Sequence, residues 1–485
     1  MKLVLIVIFI ACVRGVCSLH KGLEGIKNCD VHWFNVPLDH FSHTLDNISF
    51  KIRYFTCLNA RKARALFVYF GNEADVTLYL NNTGLMWESA ERHSASLVFL
   101  EHRYYGLSKP FATLDKSSMA YLSTNQAMAD YAAVLTHLTE GQDDLPVIGF
   151  GGSYGGMIGT YFRLKYPYIV DGIIAASAPI WTYFGEGYDR NSFAKIVTEN
   201  ARMASQDCVN NARKSWDVMF AMGKSFQGRR QLSDVIRLCS SSPLKTFQDV
   251  TKLVDWMSEA WDYMAMGNFP YESSYLVDGI GRLPAYPVEK ACAFLKGSKD
   301  GIELVAAMAK AVGVYYNATE SVLCYQYDDK SPSETENFWN YQYCTEHFMP
   351  MERDGIHDMF YPQPCNVTRE IKDCKETWGV EPDLRRGITE FGGRKILHYI
   401  SNVVFSNGAL DPWSAGGVLH IPEWLQKKNT LRTIMIPEGA HHLDLMFSNK
   451  DDPVSVVDAR HIENEYIAYW IQQKARTTTF KHSIQ

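Results

Sequence analysis

At 485 residues the chain is longer than one simple hydrophobic core organises, so two packed units or one large domain with an insertion are expected. Hydrophobic residues make up 46% and charged residues 21%, a globular balance that excludes disordered and fibrous classes. The formal charge of −6, with no Lys/Arg run, argues against a nucleic-acid partner.

Met1-Lys2, the apolar run from Leu3 to Ala11 and the small and polar residues through Ser18 form a signal-peptide pattern, with cleavage expected between Gly15 and Leu19. The run is too short to span a bilayer and no later segment is long and apolar enough, so no stable membrane anchor is expected. A secretory-pathway location, lysosomal or secreted, follows. Sequons at Asn47, Asn81, Asn317 and Asn366 gain weight as glycan acceptors beside that leader. Two of the eleven cysteines, Cys12 and Cys17, fall in the leader. None of the others sits in a CxxC pair, so zinc is not expected, and in an oxidising compartment most should form disulfides. Their odd number leaves at least one unpaired. No metal or other cofactor is expected.

Leu66–Phe70, running into Gly71-Asn72-Glu73, reads as a buried strand, and Ser96–Glu101 as a second. Thr124–Leu138 carries apolar residues at helical spacing. Leu145–Phe150 is a third buried strand leading into Gly151-Gly152-Ser153, followed by a helix over Met157–Tyr166 and a strand-like run over Val170–Ala176. This alternation predicts an α/β fold, a parallel sheet covered by helices on both faces. From about Phe184 to Lys330 buried-strand runs are absent and helix formers, tryptophans and tyrosines dominate, which suggests a helical cap. Strand character returns at Ile400–Ser406 and Thr433–Ile436, and Val456–Gln473 reads as a closing amphipathic helix. The expected layout is a leader over 1–18, a first core segment over 30–182, a cap over 183–330 and a second core segment over 331–475.

Gly151-Gly152-Ser153-Tyr154-Gly155 fits G-x-S-x-G between a strand and a helix. A nucleophile on so tight a turn needs a strained backbone and small neighbours, and the helix N-terminus lends positive charge to a developing oxyanion. Ser153 needs a base, and in this architecture an acid and then a histidine follow it in the chain. Asp411 follows the strand Ile400–Ser406, and His441-His442 follow Thr433–Ile436. These residue types alone do not choose between the two histidines. One oxyanion donor would be the Tyr154 N–H; the second would come from the backbone around Asn72 and Glu73.

Several strings coincide: Gly71-Asn72-Glu73, Glu101-His102-Arg103-Tyr104-Tyr105-Gly106, Gly151–Met157, Ala175-Ala176-Ser177-Ala178-Pro179, Phe405-Ser406-Asn407-Gly408, Leu410-Asp411-Pro412-Trp413 and Gly439–Leu445. Together they resemble the family of serine peptidases that contains lysosomal Pro-X carboxypeptidase and dipeptidyl-peptidase II, from about Trp33 to the last helix. The resemblance implies an α/β-hydrolase fold with an inserted, mostly helical cap, and cleavage after proline near one end of a peptide. It puts the family's Ser, Asp and His on Ser153, Asp411 and His441. The family usually has arginine where this chain has Met446, so a charge network behind the histidine is expected to differ here. It also implies the disulfides Cys208–Cys292, Cys239–Cys324 and Cys344–Cys374. Cys29, Cys57 and Cys365 are left over, and their spacing does not establish a pairing.

By the same resemblance Met157, Met349 and Trp413 would wall a compact apolar pocket for the proline ring. In the aminodipeptidase branch an aspartate stands in a Trp-Asp-Tyr-Gln segment; the matching residue here is Asn340. An uncharged residue there removes an anchor for a substrate ammonium. A carboxypeptidase acting on peptides with a penultimate proline is therefore expected, with a dipeptidyl-peptidase, an esterase or lipase, and a non-catalytic binding protein as alternatives. Both a monomer and a homodimer fit the sequence.

Overall fold

The computed structural model of the chain describes residues 29–43, 48–58, 63–112, 115–277, 281–328 and 334–482. The leader and Asn47 lie outside these residues. The strands are β1 (Cys29–Pro37), β2 (Ser49–Cys57), β3 (Ala65–Phe70), β4 (Ala95–Leu100), β5 (Val147–Gly152), β6 (Gly172–Ala176), β7 (Val403–Gly408) and β8 (Leu431–Ile436). They form one sheet in the order β1-β2-β4-β3-β5-β6-β7-β8. The strands from β4 to β8 in that order run parallel, and β1 and β2 extend the β4 edge antiparallel.

Residues of β3 show why the central strands read as unbroken apolar runs. Leu66, Val68 and Phe70 enter the core on one face, and Ala65, Phe67 and Tyr69 enter the core on the other. Side chains alternate along a strand, so a strand covered on both faces needs apolar residues at every position. The helices between strands are α1 (Val76–Asn82), α2 (Gly84–His93), α3 (Thr124–Leu138) and α4 (Tyr154–Lys165). After β6 come α5 (Ser192–Ala204), α6 (Gln206–Gly223), α7 (Phe226–Ile236), α8 (Phe247–Met266), α9 (Pro287–Phe294) and α10 (Gly301–Tyr316). Then follow α11 (Glu334–Thr345), α12 (Val367–Trp378), α13 (Arg386–Phe391), α14 (Glu423–Asn429) and α15 (Val454–His482). This is an α/β-hydrolase fold with a helical cap.

Helices α5 to α10 pack around their own buried cluster, which includes Trp216, Met257, Trp261 and Met308. The longest of them, α8, starts on a capping box in which Thr246 and Asp249 exchange side-chain and backbone hydrogen bonds. The cluster reaches past residue 330, where the second core segment was expected to begin, because Met359 and Phe360 insert into it.

The sequence reading missed β1 and β2 and the short helices α1 and α2. The edge strand β1 is largely exposed, and Lys51 and Arg53 interrupt the apolar pattern of β2. The strand expected at Leu145–Phe150 lies two residues later, because Gly151 and Gly152 continue the ladder against Ala175 and Ala176.

Disulfides join Cys208 to Cys292, Cys239 to Cys324 and Cys344 to Cys374. A fourth, Cys29–Cys57, crosses from β1 to β2. Cys365 is the free cysteine among the described residues. Of the sequons described, Asn366 is exposed and caps α12, while Asn81 and Asn317 are half-buried.

Helix α15 closes the fold over the segment that follows β8. Its Arg460 donates to the carbonyls of Leu443 and Asp444 at 3.0 and 2.8 Å and pairs with Asp452 at 2.6 Å. Glu463, one turn later, is fully buried. It lies against the buried Asp444 carboxylate, which accepts from Ser406 Oγ at 2.6 Å. Burial first, and then the Asp444 charge, push the Glu463 carboxyl well above its usual range. A carboxyl whose native pKa is raised loses stability as pH rises from its unfolded value, about 4.3, toward its native value, by about 1.4 kcal/mol per pH unit. Glu463→Gln, which keeps a hydrogen-bearing neutral group, should abolish that component. Urea midpoints taken between about pH 4.5 and about pH 7.5 should show the variant gaining on the parent as pH rises. A constant difference across that range would show that Glu463 does not hold its proton.

Candidate active site

Between β5 and α4 the backbone of Ser153 takes φ 56° and ψ −128°, a conformation that costs an L-residue strain. Its N–H donates to the Ala176 carbonyl at 2.9 Å, and its own carbonyl accepts from Met157 N at 3.1 Å. Two glycines make the turn sterically open. A Cβ on Gly155 would sit 2.8 Å from the Phe70 carbonyl and 2.9 Å from Asn72 Oδ1. One on Gly152 would sit 2.8 Å from the His442 ring. The loop after β3 and the histidine pair after β8 therefore close on the same turn.

Asp411 is fully buried beyond β7. Its Oδ1 accepts from Trp413 N at 3.0 Å, and its Oδ2 lies 3.0 Å from His441 Nδ1. The His441 N–H in turn donates to the Met266 carbonyl at the end of α8, so the cap braces this loop. His442 faces elsewhere. Its Nε2 lies 3.1 Å from the Tyr275 hydroxyl, its backbone N–H donates to Ser177 Oγ at 2.9 Å, and its Nδ1 is buried without a partner. Burial, reinforced by neighbouring His441, pushes the His442 imidazole well below its usual range, so it stays neutral. Of the two histidines, His441 is the one that hydrogen-bonds Asp411.

Behind the turn lies a polar network that the sequence reading did not find. The Tyr154 hydroxyl meets Thr124 Oγ1 at 2.8 Å and His102 Nε2 at 3.1 Å, and accepts from Gln342 Nε2 at 2.8 Å. Glu346 accepts from the Thr124 N–H and hydroxyl at 2.9 Å and from Gln342 at 2.8 Å. His347 bridges Thr124 and the Tyr183 hydroxyl, with the Trp339 ring stacked on it. Burial alone would raise the Glu346 carboxyl, but adjacent His347 and these donors hold it at about 2. The recognisable Glu101–Gly106 string also turns out to brace the fold. Glu101 pairs with Arg53, and Arg103 holds Asp130 through two 2.7 Å hydrogen bonds. The only advance signal of this role was charged residues directly after an apolar strand.

The residues expected to wall a proline pocket lie in two clusters. Met157 and Met349 are buried in the cluster on one face of the sheet, where Thr182 Oγ1 meets Met349 Sδ at 2.6 Å. Trp413 packs its edge on Phe193 of the cap, donates to Met266 Sδ at 3.2 Å and lines a cavity of roughly 460 Å³ with Tyr263 and Arg353. The turn carrying Trp413 touches Thr182 through Gly416, which links the two groups. Asn340 is exposed on α11. No cluster of metal-binding side chains occurs among the described residues.

Comparison with known proteins gives the chemistry a family. The model of the serine carboxypeptidase S28 family matches residues 36–463. The chain is 40% identical over 451 residues to lysosomal Pro-X carboxypeptidase of Bos taurus, across 91% of this chain and 88% of that protein. With the Homo sapiens protein of the same name it shares 39% over 475 residues, 95% of this chain and 93% of the other. Prolyl carboxy peptidase like protein 5 of Caenorhabditis elegans is 34% identical, across 96% of this chain and 94% of that protein.

Leaving buried donors unsatisfied costs about 1–3 kcal/mol, so Glu346→Ala, which strips the Thr124 and Gln342 donors of their acceptor, should destabilise the protein by at least that order. A carboxyl with a depressed native pKa contributes stability above its unfolded pKa and loses it as pH falls through the native one. The gap in unfolding free energy between parent and variant should therefore narrow below about pH 4. A pH-independent gap in denaturant titrations would show that Glu346 is not ionised in the fold.

Proposed function

The chain belongs to the serine carboxypeptidase S28 family of serine peptidases, and from that membership we propose that it removes the C-terminal residue from peptides whose penultimate residue is proline. The observations that carry this reading are the Asp411–His441 hydrogen bond and a serine held at positive φ on a strand-to-helix turn. In this reading Ser153 is the nucleophile. His441 takes the Ser153 Oγ proton on Nε2 while Asp411, bonded to Nδ1, fixes the tautomer and stabilises the imidazolium. Oγ attacks the proline carbonyl carbon, and the oxyanion is met by the backbone N–H groups of Tyr154 and Glu73. His441 then delivers the proton to the leaving amine, and the C–N bond breaks. Water, deprotonated by the same histidine, releases the prolyl acyl group.

The proline ring has no N–H to satisfy and suits an apolar slot. We place that slot where the Trp413 turn meets the cluster holding Met157 and Met349, with Thr182 supporting the contact. The lysosomal names of the relatives, the leader pattern and the sequons support a secretory-pathway protein residing in the lysosome or outside the cell, with glycans at the Asn-X-Ser/Thr sites. The choice of substrate end rests on Asn340. It stands uncharged and exposed at the position of the expected ammonium anchor.

Ser153→Ala, with folding checked by thermal melting, should leave only the roughly 10³–10⁴-fold rate over water that binding and the oxyanion donors supply. His441→Ala should be nearly as inactive, and His442→Ala clearly more active than His441→Ala. The opposite ranking in kcat/KM would move the base to His442.

Direction is read with two substrates, an N-blocked peptide ending in Pro-Phe and an unblocked X-Pro-nitroanilide. Release of phenylalanine should dominate, and Asn340→Asp should raise cleavage of the nitroanilide. Efficient X-Pro release with no phenylalanine would return the enzyme to the dipeptidyl-peptidase branch.

A further inference from the structure

A carboxypeptidase has to hold a carboxylate one residue beyond the scissile bond, and Asn72 and Glu73 stand on the loop that closes against the Ser153 turn. Asn72 is buried against Gly155 of the nucleophile turn, and its Nδ2 donates to Glu73 Oε2 at 2.7 Å. The loop carrying both is fixed by the Tyr131 hydroxyl, which donates to the Gly71 carbonyl at 2.7 Å. Glu73 itself is half-buried, and Asn72 is the one side chain described as donating to it.

The groups that sense its charge come from every side. They are Tyr69 of β3, Tyr79 of α1, Tyr105 after β4, Tyr275 of the cap, His347 after α11 and His441 after β8. Two of these neighbours are histidines, His441 beside Asp411 and His347 beside Glu346. An ionised Glu73 so placed would repel a substrate carboxylate, whereas a protonated one would bind it.

Resting on the carboxypeptidase reading, we propose that Glu73 is the substrate-carboxylate recognition residue, its protonated oxygen donating to the C-terminal carboxylate while Asn72 holds the other oxygen. Such an O–H···O⁻ bond is charge-assisted and among the stronger hydrogen bonds a protein makes. Burial raises the Glu73 carboxyl above its ordinary value, which extends the acidic range in which it carries its proton. The bound carboxylate would raise it further. No bond in the peptide is made or broken by Glu73. The proton stays between the two carboxyl groups, and the nucleophile chemistry proceeds through Ser153 and His441. The expected consequence is a KM for peptide acids that rises as pH climbs and Glu73 ionises.

The test compares parent enzyme, Glu73→Gln and Glu73→Ala on an N-blocked peptide ending in Pro-Phe and on the same peptide as its C-terminal amide. KM and kcat are measured from about pH 4 to about pH 7.5, across the range in which a raised carboxyl titrates. Folding is checked by thermal melting, and the nucleophile by its rate of labelling with a fluorophosphonate. Glu73→Gln keeps a donor at every pH, so its KM for the acid should lose the pH-dependent rise seen in the parent. Glu73→Ala should raise KM for the acid by about tenfold or more, the loss expected for a hydrogen bond to a charged group. Because the Glu73 N–H also serves the oxyanion, the readout is the acid-to-amide ratio of KM within each variant, which Glu73→Ala should raise. A Glu73→Gln variant that keeps the parent's KM–pH curve, or that loses acid and amide equally, overturns the proposal while phenylalanine release by the parent still upholds the carboxypeptidase reading. A parent that releases no phenylalanine but cleaves X-Pro-nitroanilide overturns both.

Discussion

Ser153 is held in a backbone conformation that an isolated serine would leave. A left-handed residue costs roughly 1–2 kcal/mol, so neighbouring structure has to over-determine it. Here β5 delivers the chain with its last two residues still paired to β6, and α4 begins at the very next residue. The Ser153 N–H is bound to Ala176, the residue that ends β6. Phe70 and Asn72 close in from β3, and the His442 ring from beyond β8. Four strand ends thus converge on one residue, and any loosening of the parallel sheet would release the strain and withdraw the hydroxyl. That dependence explains why the carboxyl ends of adjacent parallel strands host the site.

The polar groups packed behind the turn share an electrostatic pattern. Glu346 stays ionised down to about 2, His102 stays neutral above about 4, and His442 is held neutral well below its usual range. Glu463 keeps its proton well above the ordinary carboxyl range. In mildly acidic solution none of these four changes charge. Burial is the first cause in every case, and for Glu346 hydrogen bonds and His347 reverse it. A site whose background charge is fixed in acid leaves the pH dependence of turnover to the groups that meet the substrate.

The sheet and the strand-to-helix turn at Ser153 were legible because both follow from short-range rules. A strand covered on two faces must be apolar throughout, and a nucleophile turn must carry small residues around Ser153. Asp411 and its partner could be placed at strand ends, but not resolved between His441 and His442. That distinction depends on a backbone turn at His442, whose φ of 42° sends its ring toward Tyr275. The network of Thr124, Gln342, Glu346 and His347 was illegible because it joins residues more than 200 positions apart, each unremarkable in its own segment. The β1–β2 hairpin escaped notice because an exposed edge needs few buried residues, and the Cys29–Cys57 bridge across it had no spacing rule to announce it.

Met446 shows how a fold absorbs the absence of a charged side chain. At the position where the resemblance puts the family's arginine, it is buried in the cluster that holds Leu443, Leu445, Val456 and Ala459. The His442 Nδ1 is left without a partner, which is tolerable because the ring is kept neutral and buries no charge. A guanidinium still serves the same segment, but it comes from α15. Arg460 binds the Leu443 and Asp444 carbonyls and neutralises Asp452. It therefore acts on the backbone of the loop, not on the histidine ring. The position of His441 is then fixed from three directions: by Asp411 through its ring, by Met266 of the cap through its N–H, and by Arg460 through the carbonyls that follow. Orientation of the His441 ring has become a property of the loop's main chain, so side-chain replacements at His442 or Met446 act on that ring only as far as they move that main chain.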